Sequence, residues 1–154
     1  MSSMLKGKDV SLLRLGIPVS RATATIPQTA TGNIFTVSGG RIMLVYLVGE
    51  VTTAIQNQAC TLAIGSAPTV GTGSTTALGT ASSIINAPVG THFAAAPGGA
   101  TATDLATQAG VLKGTDFVVP AGSITITTSA SNTGSVKWDL YYVPYDIGAS
   151  VAAA

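Results

Sequence analysis

The chain has 154 residues, with 7 Lys or Arg against 6 Asp or Glu, for a net charge of +1. Its charged fraction of 8% is about a third of the roughly 25% that an ordinary soluble domain carries, and the near-neutral balance excludes the basic footprint of a nucleic-acid binder. An apolar fraction of 46% and a mean hydropathy of +0.49 argue against disorder, and the length suits one domain with a true core.

The longest apolar run, Ile42–Val48, is seven residues, far short of the about 20 that a membrane-spanning helix requires. So few charged side chains leave little material for acid–base or metal chemistry. Charged side chains also keep a monomer solvated and apart from its neighbours, so their scarcity favours a part that sits against other proteins over a free enzyme.

In chain order, residues 1–20 read as an N-terminal arm. They hold three of the seven basic residues, Lys6, Lys8 and Arg14, and show no strand alternation. Asp9 is placed to cap a short helix through Leu15, ended by Gly16 and Pro18. Arg14 interrupts the apolar stretch Val10–Ile17, and no small-residue cleavage site follows, so a signal peptide is not expected. The three basic residues read as a solvated arm rather than a phosphate site.

Residues 21–154 read as a β-sandwich domain. Thr occurs 22 times in the chain, and β-branched residues favour strands. Gly, Pro and Asn punctuate at short intervals, which predicts many short strands in a sandwich or barrel. Strands are expected at Arg21–Ile26, Asn33–Val37, Arg41–Val48, Val51–Ile55, Cys60–Ile64, Thr80–Ile85, Asp116–Val119, Ser123–Thr128 and Ser135–Val143, enough for an antiparallel, jelly-roll-like sandwich. Ala94–Gly110 is Ala/Gly/Thr-rich and reads as a long loop with a helical turn at Asp104–Gln108. The last two strands read as a hairpin, with Ile124 and Ile126 on one inner row and Val136, Trp138, Leu140 and Tyr142 on the other. Arg41–Val48 is apolar on both faces, with Met43, Val45 and Leu47 alternating against Ile42, Leu44, Tyr46 and Val48. A sandwich strand needs only one apolar face, so this pattern predicts a second cover, from the arm, a loop or a neighbouring subunit.

Chemistry-bearing residues are sparse. His92 is the sole histidine and Cys60 the sole cysteine. No nucleophile elbow or cysteine-protease signature accompanies them, and together they make a zinc site improbable. No spacing among the six carboxylates demands a glycosidase pair. Gly71–Thr76 has a passing likeness to a phosphate loop but lacks its Gly-Lys-Ser/Thr ending. Among the aromatic residues, Trp138 and Tyr142 share parity with Val136 and Leu140 and read as core. Tyr141 and Tyr145 read as outward, at an interface or a sugar site. No cofactor, metal or catalytic residue is expected.

The run Gly32-Asn33-Ile34-Phe35-Thr36-Val37-Ser38-Gly39-Gly40-Arg41-Ile42, continued by Leu47–Gln56, resembles small structural proteins of tailed-phage genomes. So does the ending Val119–Ile124 with Val136–Asp146. The resemblance covers most of residues 21–151, and its closest match in character is the capsid decoration (cement) group. It implies a β-sandwich made in the host cytoplasm and carried on the outer surface of the virion capsid. Such a protein binds the assembled major capsid protein lattice, commonly as a trimer or dimer, without cofactor, turnover, nucleic acid or membrane. It transfers no contact residues. From the residues themselves, the candidate interaction surface is Lys6, Lys8, Arg14, Ile42, Leu44, Tyr46, Tyr141 and Tyr145. An alternative is a head-fibre or tail-associated receptor- or carbohydrate-binding module, a reading that gains if Tyr141 and Tyr145 line an open groove free of capsid contacts. A cell-wall hydrolase would require His92 within hydrogen-bond reach of Cys60, a serine or a carboxylate.

Overall fold

The computed structural model describes residues 6–70, 76–78, 81–95, 103–106 and 117–154. One helix, α1 (Gly7–Leu15), precedes β1 (Ile17–Thr25), β2 (Thr31–Ser38), β3 (Ile42–Thr53), β4 (Thr61–Pro68), β5 (Thr76–Ala77), β6 (Ser82–Ser83), β7 (His92–Ala95), β8 (Thr103–Ala106), β9 (Phe117–Val119), β10 (Gly122–Thr128), β11 (Ser135–Pro144) and β12 (Ser150–Ala153). The strands form an antiparallel all-β sandwich. The first sheet runs β1-β11-β3-β7-β8, with β9 also on β3; the second runs β12-β2-β10-β4-β5, with β6 also on β4.

The path through the sandwich departs from the expected hairpin. The long strands β1 to β4 alternate between the two sheets, and β10 and β11 then insert between them. β10 enters between β2 and β4, while β11 enters between β1 and β3. Each inserted strand finds an open edge on both sides, so it is hydrogen-bonded to a neighbour along both edges. The 129–134 loop therefore crosses from one sheet to the other. Ile124 and Ile126 meet Val136, Trp138, Leu140 and Tyr142 across the core instead of along one sheet.

Several boundaries shift for local reasons. Ile17–Ser20, expected in the arm, pair with Tyr142–Asp139 and form the first part of β1. The two strands expected at 41–48 and 51–55 are one, because Gly49 is not a turn. Trp138 lies over it, and a Cβ there would come within 2.8 Å of the indole ring. Thr103–Ala106 is a strand rather than a helical turn, paired antiparallel with the otherwise open edge of β7. Residues 107–108 and the phosphate-loop look-alike at 71–75 lie outside the described residues, as does Thr80 of the expected 80–85 strand.

The two-faced appearance of Arg41–Val48 has a simple cause. Tyr141 pairs with Tyr46 and Tyr142 with Leu44, so Val45 is an extra residue in β3, a β-bulge. A bulge shifts the side-chain alternation by one. Ile42 and Leu44 before it face the core, and so do Leu47 and Val51 after it. Met43, Tyr46 and Val48 lie on the outer face, half-buried.

The Trp138–Gly49 contact gives a prediction. Alanine in a strand interior is ordinarily better than glycine by about 0.5–1 kcal/mol. Here the added methyl overpacks a fully buried indole, so Gly49→Ala is expected to lower the melting temperature by about 3–10 °C. Thermal unfolding followed by circular dichroism checks the sign.

Candidate interaction surface

The residues singled out from sequence fall in four places. Lys6 precedes α1, whose amino end is capped by the Asp9 carboxylate accepting from Lys6 N at 3.1 Å. Lys8 and Arg14 belong to the helix, Arg14 in its last turn, where a cation complements the helix dipole. Ile42 and Leu44 are 0% and 1% exposed and belong to the core; the bulge at Val45 removes them from any interaction surface. Tyr46 and Tyr141 sit side by side on the outer face of the first sheet, ring centres 6.4 Å apart and tilted by 44°. Burial raises the Tyr46 phenol above its usual range, with Tyr141 adding to it. Tyr145 lies past the end of β11, under the Arg41 guanidinium at 4.6 Å. Tyr141 and Tyr145 therefore have different supports, Tyr46 for the first and Arg41 for the second.

Charged groups on the outer face are paired across strands. Lys137 Nζ meets Glu50 Oε2 at 2.7 Å, and this hydrogen bond lowers the Glu50 pKa and raises that of Lys137. Ser20 Oγ donates to Asp139. His92 stands opposite Glu50 in register, but its Nδ1 is buried without a hydrogen-bond partner. Cys60 is buried and its thiol donates to the Ala130 carbonyl at 3.4 Å. Among the described residues no three His, Cys, Asp or Glu side chains stand close enough to hold a metal ion, and no helix is long and apolar enough to cross a membrane.

The more telling pattern is where large apolar side chains stand exposed. Eleven do so among the described residues. Nine of these eleven, Val10, Leu12, Leu13, Ile17, Val70, Val118, Val143, Tyr145 and Ile147, belong to one end of the sandwich or to the helix attached there. At that end β1, β3 and β10 begin and β4, β9 and β11 finish. Among the described residues the opposite end carries Ile85 and Val89 alone. Its loops are tied instead by amides. Asn132 Oδ1 accepts from Gln56 N and Gly134 N, Gln28 Nε2 donates to the Ile26 and Asn132 carbonyls, and Asn86 donates to Asn57.

The apolar end is built on a clamped turn. Asp146 accepts from Arg41 N at 2.8 Å, from Arg41 Nε at 2.9 Å and, through its other oxygen, from the second guanidinium nitrogen at 2.8 Å. The Tyr145 and Asp146 amides both donate to the Arg41 carbonyl. Gly148 (φ 88°) then turns the chain into β12. Ile147 is thus held out, fully exposed, on a pre-organised loop. Sequence reasoning passed over Ile147; the available signal was an apolar residue set inside a turn, between Asp146 and Gly148. Scans against family models, curated proteins and solved structures returned no match.

The clamp has a definite pH dependence. Its hydrogen bonds to Arg41 lower the Asp146 carboxyl from 3.8 to about 2. A carboxyl more acidic in the folded state stabilises above its unfolded value and loses that contribution as the pH falls through the folded one. Asp146→Asn is therefore expected to melt slightly below wild type at pH 7, and the gap should close as the pH falls from 4 to 2. Paired melting curves across that range check it.

Proposed function

We propose that this protein is a structural virion component that decorates and stabilises a tailed-phage capsid by binding the assembled major capsid protein lattice. The observation that carries the reading is the one-sided distribution of exposed apolar side chains. Monomeric proteins rarely leave large contiguous apolar patches in water; such patches mark interaction sites. A rigid turn presenting Ile147 beside Tyr145 and Arg41 has the residue types that dominate interface energetics, and it loses little entropy on docking because the clamp already fixes it. The amide-rich end would then face away from the shell.

The strand order supports the finer jelly-roll reading, since two late strands inserted between four alternating early ones is the double Greek-key wrapping. Decoration requires contact area rather than turnover. A protein that binds only the assembled lattice stabilises it by mass action, and copies joined as a trimer or dimer gain avidity from weak single contacts. On this reading the protein resides on the outer capsid surface and uses no cofactor, nucleic acid or membrane.

Co-sedimentation with purified shells tests the proposal. Wild type is expected to saturate at a fixed ratio to the major capsid protein. Ile147→Asp should weaken binding at least about tenfold, as expected for a central anchor, while Val89→Asp at the opposite end should leave it unchanged. Removing residues 1–16 should also weaken attachment without unfolding the sandwich. Equal binding by the Ile147 and Val89 variants, or no saturable binding, contradicts the reading.

A further inference from the structure

We infer that α1 of one copy docks across the outer face of the first sheet of a second copy, so that the oligomer is held by an exchanged helix. The inference rests on the self-association in the reading above, but not on the capsid.

The helix has nine residues, fewer than the about 12–15 at which an isolated helix becomes even marginally stable in water. Its apolar residues Val10, Leu12 and Leu13 nevertheless remain exposed among the described residues. Val10 and Leu13, three apart and so on one face, are 50% and 76% exposed, and Leu12 is exposed as well. Its direction is fixed at the exit. Gly16 N donates to the Leu12 carbonyl at 2.9 Å, and Gly16 has φ +81° and packs against the Tyr142 carbonyl and Val143. Ile17 is already locked into β1 opposite Tyr142. Folding α1 back onto its own sheet would break this cap.

The outer face supplies what the helix lacks. Tyr46 and Tyr141 form one row, and Val143, Met43 and Val118 form the next, in continuous register across β11, β3 and β9. A nine-residue helix is about 14 Å long, and the four neighbouring strands β1, β11, β3 and β9 span about 14 Å. The charges also match. From Lys6 to Leu15 the segment carries Lys6, Lys8 and Arg14 against Asp9, a net +2. The outer face beside the tyrosines carries Glu50 and Asp139 against Lys137, a net −1. Opposite potentials set the orientation of docking and make it sensitive to salt.

Analytical ultracentrifugation of the full chain tests the exchange. Wild type is expected to self-associate, with weaker association at high salt. Val10→Asp/Leu13→Asp, and separately Tyr141→Asp, should each weaken association at least tenfold while circular dichroism shows the sandwich folded. Arg14→Glu should weaken it too, and mixing Arg14→Glu with Asp139→Arg chains should restore association between the two. Wild type that stays monomeric at 100 μM (on the order of a weak but specific contact), or variants that associate as wild type does, would overturn the inference. So would a folded charge pair that fails to rescue in the mixture. A monomer that still saturates shells would overturn the exchange alone; an exchanged oligomer that ignores shells would overturn decoration alone.

Discussion

The pairing of β11 with β3 is the constraint on which the rest of the molecule depends. It runs through ten registered pairs, from Ser135 opposite Thr53 to Pro144 opposite Ile42. At its middle the Trp138 ring fills the space that a side chain at Gly49 would occupy. The tryptophan is buried to 1% exposure, and burial of an aromatic this large dominates local energetics. With that contact in place, the register of both strands has no freedom. The bulge at Val45 follows, and it decides which side chains of β3 enter the core and which face out.

Two features of the surface are set by the same pairing. On the outer face it brings Tyr46 to Tyr141 and Glu50 to Lys137. At the strand ends it delivers Arg41 to Asp146, and the turn beyond is clamped as a result. Both charge pairs are exposed, so their value lies in geometry more than in stability. The clamp holds a short loop in one shape, and that shape points Ile147 and Tyr145 outward. At Tyr145 and Ile147 the proposed interaction surface is therefore an extension of the core register.

Much of the fold was legible in the chain. Strand grammar, turn spacing and the inward rows at Ile124/Ile126 and Val136/Trp138/Leu140/Tyr142 were read from alternation alone, and the short helix was read from Asp9 and Gly16. What alternation does not encode is partner choice. Ser123–Thr128 and Ser135–Val143 looked like a hairpin because adjacent strands usually pair; here each found two open edges in different sheets. Alternation also fails across a bulge, which is why Ile42 and Leu44 looked exposed. Gly49 and Gly65 carried turn composition, yet both lie within strands. At Gly49 the missing side chain makes room for an indole 89 residues away in sequence, a demand that no local window contains. The apolar end was illegible for a related reason, since its members come from segments between residues 10 and 147 and meet only through topology.

The low charge of the chain takes on a positional meaning in this light. Among the described residues Glu50 and Lys137 pair across strands, Arg41 and Asp146 clamp a turn, and most exposed large apolar side chains gather at one end. Hydrogen–deuterium exchange of the protein free and bound to purified shells tests this polarity most directly. The account predicts slowed exchange in residues 41–44, 117–121 and 143–148, with loops 54–60, 84–90 and 129–134 unchanged. Protection confined to the amide-rich loops, or none at any site on saturated shells, would contradict it.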